Sequence, residues 1–237
     1  MASNGTGFRV ESLHVFDGRK TSLKDLGFNI SSKDRLVALG KDGRDEKTEL
    51  GLALGTRKGV VKIVNSTDYP TRSNEFPVIP LDPGDEIIGG AGASNEADLI
   101  FISNDSSLLR TVANKVRPSG ARAGGVAGFK VADGANITGF WVVNSTDLST
   151  TKVVTLTNQS IKQSLLSEYP HKGRGTGGVR SHAFRKGETS LTFALVASNP
   201  LLVAGSDTIS LPELANRRDA SGSPISAVDV TSSGKLF

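Results

Sequence analysis

The segment Glu168-Tyr169-Pro170-His171-Lys172-Gly173-Arg174-Gly175-Thr176-Gly177-Gly178-Val179-Arg180 packs four glycines into six residues and surrounds them with cations. Bare backbone amides beside Lys172, Arg174, Arg180 and, a little further on, Arg185 suit phosphate oxygens. Gly173-x-Gly175-x-x-Gly178 also matches a dinucleotide fingerprint, but no β-branched strand leads into it and no helix-forming run follows. Tyr69 and Tyr169 are the only tyrosines and hence the only phenol nucleophiles. Each stands before a proline at the same place in a repeat, which marks a structural position; a nucleophile also needs an activating base or metal. His14, His171 and His182 lack metal-ligand spacing, and no Ser/His/Asp grouping can be argued from position. Asp82, Asp85, Asp133 and Glu188 fall in turns, where acidic residues serve local hydrogen bonding. No catalytic residue, metal site or cofactor is expected.

Those residues sit on a repeated unit. Pro70, Pro118 and Pro170 each follow a cation by eight residues: Lys62, Arg110 and Lys162. Each cation closes a strand signal (Val60-Val61, Leu108-Leu109, Ser160-Ile161), and a second apolar run lies just upstream (Leu52–Leu54, Leu99–Ile102, Val153–Leu156). Turn residues join the two runs, so each pair reads as a hairpin. After each proline come a polar, basic loop and two further apolar stretches separated by turns such as Pro83-Gly84 and Asp133-Gly134. A period of about fifty residues with four short strands each is the signature of a propeller-like array. The fold class is all-β, with about five four-stranded blades at 8–47, 48–95, 96–147, 148–193 and 194–237. Residues 1–7 are expected as a flexible leader to a single domain over 8–237, whose first unit lacks its first strand.

Composition sets the outer bounds. In 237 residues there is no cysteine, which excludes disulfides and thiolate metal sites, and 5% aromatic content argues against base-stacking platforms. No apolar run approaches the ~20 residues of a membrane span, and the opening residues show no signal-peptide pattern. Net charge +4 and pI near 9.4 permit a polyanion partner.

The unit Gly-Thr-x-x-Gly-x-Val-Lys…Tyr-Pro…Ile-x-Leu-x-x-Gly-Asp-Glu-Ile resembles a blade of the C-terminal domain of the DNA gyrase and topoisomerase IV A subunits. The stretch 168–180 is similar to that family's glycine- and arginine-rich box, and the Asp-Tyr-Pro…Glu-Tyr-Pro-x-Lys-Gly-Arg combination looks most like actinobacterial members. The resemblance implies a β-pinwheel, a propeller-shaped ring in which neighbouring blades exchange strands and double-stranded DNA bends around a basic rim. It also implies that cleavage lies on an N-terminal domain of the same polypeptide, that an ATPase subunit completes the enzyme, and that the protein works in the bacterial cytoplasm. The gyrase box proper runs Gln-Arg-Arg-Gly-Gly-Lys-Gly in the first blade; here the nearest stretch lacks the double arginine and falls in the penultimate unit. A gyrase-like and a topoisomerase IV-like role both remain open.

Recurrence makes the basic residues candidate DNA contacts: Arg57, Lys58, Lys62 and Arg72; Arg110, Arg117, Arg122 and Lys130; Lys162, Lys172, Arg174, Arg180, Arg185 and Lys186; Arg217 and Arg218. Gly175, Gly177 and Gly178 join them as bare backbone. On a ring these positions form a continuous track that holds phosphates with little base readout. The alternative is a propeller scaffold for a protein partner, motivated by the modest net charge and by Phe140-Trp141 read as an apolar loop.

Overall fold

The computed structural model describes residues 1–10, 24–38, 49–65, 68–70, 72–144 and 148–235. Among these residues seventeen strands run in chain order: β1 (Thr6–Phe8), β2 (Glu49–Thr56), β3 (Val60–Val64), β4 (Glu75–Pro77), β5 (Ile87–Ser94), β6 (Asp98–Ser103), β7 (Ser107–Val112), β8 (Val126–Ala127), β9 (Ile137–Val143), β10 (Lys152–Leu156), β11 (Ser160–Leu165), β12 (Val179–Arg180), β13 (Phe193–Ala197), β14 (Pro200–Ala204), β15 (Asp207–Thr208), β16 (Ser223–Pro224) and β17 (Ser232–Lys235). Among the described residues helix is confined to single 3-10 turns such as Ala113–Lys115 and Leu166–Glu168.

The sheet orders show how the repeats interlock. Three four-stranded sheets run β5-β2-β3-β8, β9-β6-β7-β12 and β13-β10-β11-β16. In each, the outermost short strand comes from the following unit: β8 pairs with β3, β12 with β7 and β16 with β11. β4 likewise leaves its own unit to pair with β1. Neighbouring blades therefore exchange strands in a propeller-like array. Among the described residues the count is three four-stranded blades, one three-stranded sheet (β15-β14-β17) and the pair β1-β4, not five complete blades. Among the described residues the first and last units carry fewer strands.

The expected flexible leader is part of the first sheet. Ala2 is fully buried and bridges Leu36, β1 begins at Thr6, and the Met1 amino group donates to the Ala38 carbonyl at 3.0 Å. β1 takes the donated β4 as β3 takes β8, so it stands at the place of a hairpin's second strand.

The core lies between sheets. One cluster joins Ala53, Val61 and Ile63 to Leu99, Phe101 and Phe140; the next joins Ile100, Ile102 and Leu108 to Val153, Leu166 and Tyr169. Successive side chains of one strand point to opposite faces, so each central strand feeds two interfaces and reads as a continuous apolar run. Phe140 and Trp141 lie in β9, Phe140 in the first cluster and Trp141 against the second, so they are not an apolar loop.

Candidate nucleic-acid interface

Glycine makes the strand exchange possible. A Cβ on Gly125 would lie 2.7 Å from the Val61 carbonyl oxygen; on Gly178, 2.5 Å from that of Leu108; on Gly222, 2.8 Å from that of Ile161. Each glycine opens a donated strand and brings backbone against backbone, leaving no room for a side chain. Gly178 is therefore fixed by packing. Gly175 has φ +72° and spends its amide on the Gly128 carbonyl at 2.6 Å, so that N–H does not face a partner. At Gly177 a Cβ would meet nothing within 4 Å.

The basic loops leading into donated strands overlie one another. Arg174 donates through Nε to the Lys115 carbonyl at 3.0 Å and through Nη1 to the Ala127 carbonyl at 3.3 Å. The Lys130 amide donates to Thr176 O at 3.0 Å, and Phe129 bridges Thr176 in parallel. Because the acceptors are neutral carbonyls, Arg174 keeps its full charge while its guanidinium is held in place. Arg117, Arg122, Lys130, Arg174, Arg180, Arg185, Lys186, Arg72 and Lys58 are exposed, and none forms an ion pair among the described residues. Lys58 donates to the Pro83 carbonyl at 2.7 Å, and half-buried Lys172 reaches Gly178 O at 3.4 Å. Exposed Lys115, which the repeat reading passed over, belongs with this group by its carbonyl contact to Arg174. Its signal was its place just before Val116-Arg117-Pro118.

Other expected contacts are offset or enclosed. Arg57 pairs with Glu86, which also binds Arg35 at 3.2 Å, and Arg217 forks onto Asp219 with both contacts at 3.1 Å. Arg218 is half-buried, with its Nε enclosed. Lys62, Arg110 and Lys162 are 1%, 8% and 2% exposed, so the three repeat cations are not rim contacts. Lys62 Nζ donates to the carbonyls of Val78 (2.8 Å), Gly120 (2.8 Å), Ala121 (3.2 Å) and Ala123 (2.5 Å). Lys162 Nζ donates to Arg218 O at 2.6 Å and Ser164 Oγ at 3.4 Å. Burial pushes both amines down to about 8, partly offset by Asp68 near Lys62 and by Glu168 and Asp219 near Lys162.

Arg110 is not their equivalent. Ser106, at φ +70°, holds the turn position of Gly59, so β7 starts one residue earlier than the proline spacing implies. Leu109 then matches Lys62, and Val116 rather than Arg117 matches Tyr169, each following its 3-10 turn. Arg110 faces the opposite interface, where its Nε donates to Asp98 at 2.6 Å and its Nη1 to the Tyr169 carbonyl at 3.0 Å. Asp98 also meets His171 Nε2 at 2.6 Å, directly ahead of the glycine stretch.

Two groups with reactive side chains are enclosed. Tyr169 is fully buried with its hydroxyl 2.8 Å from Ser164 Oγ, and burial raises its pKa far above the ordinary phenol value. Ser160, His182 and Glu188 do come together, which spacing did not reveal. Glu188 binds Ser160 at 2.6 Å, however, and not the imidazole. The Gly222 amide donates to His182 Nε2 at 3.2 Å, which leaves Nδ1 to donate to Thr155 Oγ1 at 2.9 Å. Burial, with Lys162 and Arg185 adding, depresses the imidazole to about 4 against the opposing pull of Glu188. Burial opposes ionisation of Glu188, yet donors from Arg185 N, Ser160 and Thr157 hold its pKa below the ordinary value. The group locks β16 onto β11, with Ser160 and His182 fully buried and Glu188 nearly so. Among the described residues no cluster of His, Cys, Asp and Glu could hold a metal, and no helix is long and apolar enough to cross a membrane.

The model of the DNA gyrase C-terminal domain, a β-propeller, matches residues 52–91, 97–144 and 160–195, more than half of the chain. The DNA gyrase A subunit of Deinococcus deserti is 31% identical over 193 residues, covering 79% of this chain and 23% of that protein. The DNA gyrase A subunit of the actinobacterium Mycolicibacterium smegmatis is 29% identical over 151 residues, covering 62% of this chain and 18% of that protein. The chain thus spans about a fifth of the length of these relatives. A solved DNA gyrase A C-terminal domain superposes with a TM-score of 0.75 at 20% identity, covering 100% of this chain and 81% of that one. Exchanged strands, repeat period and matched segments agree: the chain belongs to the DNA gyrase C-terminal domain family.

Proposed function

We propose that this domain binds duplex DNA without sequence preference and bends or wraps it along the rim of donated-strand loops. It would do so as part of the A subunit of a type IIA topoisomerase, either DNA gyrase or topoisomerase IV, in the bacterial cytoplasm. DNA cleavage would belong to an N-terminal domain of the same polypeptide, and ATP hydrolysis to a partner subunit. The observation that carries this reading is the overlap of successive basic loops, with Arg174 fastened across two of them through neutral carbonyls and its charge uncompensated. Bending a 20–30 bp site costs on the order of 1–6 kcal/mol, so contacts from several blades must act together.

Ligation of nicked plasmid at increasing protein, followed by topoisomer separation, tests the reading. A linking-number shift that grows with protein supports wrapping, and its sign separates gyrase-like from other behaviour. Binding without a shift removes wrapping and keeps bending. No binding at low salt refutes the proposal.

A further inference from the structure

We infer that Lys62 and Lys162 are positioning residues for the DNA-facing rim: each holds, from inside the fold, the backbone of the basic loop that the next unit lays over it. The inference rests on the DNA-binding reading above. Lys62 lies in β3 but binds carbonyls 58, 59 and 61 residues further along, in the loop that carries Arg122. Lys162 lies at the same place in β11 and binds the carbonyl of Arg218, 56 residues on. Counted back from the glycines that open β8 and β16, Gly125 and Gly222, the carbonyls of Ala121 and Arg218 are equivalent. One device therefore appears twice. The intervening blade has Leu109 at that position, and its loop is fastened by Arg174 itself.

Four carbonyls converge on Lys62, and an ammonium has three hydrogens to share among them, whereas a neutral amine has two. Loss of the proton thus loosens the loop without emptying the core. Burial places that loss near pH 8 for both lysines. Asp68 is the charged group facing Lys62; Glu168, Asp219, Arg218, His182 and Tyr169 surround Lys162. Linkage moves stability the other way. Between about 8 and the ordinary lysine value the unfolded chain holds more protons, so these two groups add stability as pH rises through that window. A fold that becomes no weaker while its grip on DNA declines is the mark of a positioning role.

The test compares the wild-type domain with Lys62→Met and Lys162→Met, singly and together. Hydrogen exchange at residues 119–125 and 215–222 and binding to a 40-bp duplex are each measured from pH 7 to 9.5. In the wild type, exchange at 119–125, corrected for its intrinsic pH dependence, should accelerate above pH 8 while duplex affinity falls several-fold. Lys162 has two acceptors for the two hydrogens of a neutral amine, so 215–222 should change less. In the double variant exchange is already fast at pH 7, the affinity profile is flat, and the salt slope is shallower by about 0.9 for each phosphate no longer engaged. Residues 172–178, which have no lysine beneath them, serve as the internal control. Unchanged exchange at 119–125 in Lys62→Met overturns the inference, whatever the DNA result. If a variant fails to fold, the wild-type pH series decides alone: corrected exchange at 119–125 that stays flat across pH 8 overturns it. A wild-type domain that binds no duplex at 50 mM salt refutes the functional reading, and the exchange series separately shows whether the lysines hold the loops.

Discussion

Replacing Gly178 by alanine would place a Cβ 2.5 Å from the Leu108 carbonyl oxygen, 2.6 Å from its carbonyl carbon and 2.8 Å from its nitrogen. Real Cβ atoms essentially never approach closer than 3.0 Å, so β12 must retreat by the difference, about 0.5 Å at the oxygen alone. All three obstructing atoms are backbone of a central strand, so no rotamer change relieves the contact. The pairs Val179–Leu108 and Arg180–Ser107 would separate, and with them the hydrogen bonds from Ser181 N and Oγ to Ser106 O, both 2.7 Å. Overpacking costs typically 1–3 kcal/mol and each broken hydrogen bond about 1 kcal/mol. We expect Gly178→Ala to destabilise by about 2–4 kcal/mol in urea denaturation, with faster hydrogen exchange along the outer edge of β7. Gly177→Ala is the control: its Cβ enters open space and its φ lies outside the left-handed region, so stability should stay within about 0.5 kcal/mol. Equal stability of the two variants, or greater damage at Gly177, would refute the account of how donated strands seat. Gly177→Ala should still weaken duplex binding, since the methyl stands off any phosphate backbone approaching that open stretch.

His182, held neutral to about pH 4 against an ordinary 6.5, costs stability as pH falls through that interval, because the unfolded chain takes the proton first. The shift is worth at most about 3 kcal/mol, to be read as the difference between urea midpoints at pH 7.5 and 4, and His182→Gln should flatten the dependence. Glu188, with its pKa lowered, adds to the loss once pH falls below its ordinary value of 4.5. Tyr169→Phe removes one buried hydrogen bond to Ser164 and should cost about 1 kcal/mol while leaving duplex binding unchanged; a strong DNA defect would contradict its interior placement. Asp98→Asn weakens the acceptor shared by Arg110 and His171 and leaves Arg110 poorly compensated, so thermal unfolding should shift down by several degrees. If about six to ten phosphates are engaged, affinity should drop ~10³–10⁵-fold between 50 and 200 mM salt; a shallow slope would mean that far fewer cations touch DNA.

The all-β class, the fifty-residue period and the hairpins could be read from residue order, because alternation, turn glycines and β-branched runs act over a few neighbours. The strand exchange was implied by the resemblance of the motif residues to the family and not by residue order itself. Spacing alone did not reveal which cations are interior. Leu108, Leu109 and Arg110 are all buried although they alternate between two faces, since both faces of a central strand are covered by neighbouring blades. Local pattern therefore holds no polar side on which to place the arginine. The partners that bury Lys62 and Lys162 lie up to 61 residues away, and only the seating of the next unit's loop brings them near. The one-residue offset of Arg110 comes from Arg117, which stands between Val116 and Pro118 where Pro170 follows Tyr169 directly, so a count back from the proline lands one residue late. Tertiary packing thus decided which charges clamp the blades from within and which remain on the rim.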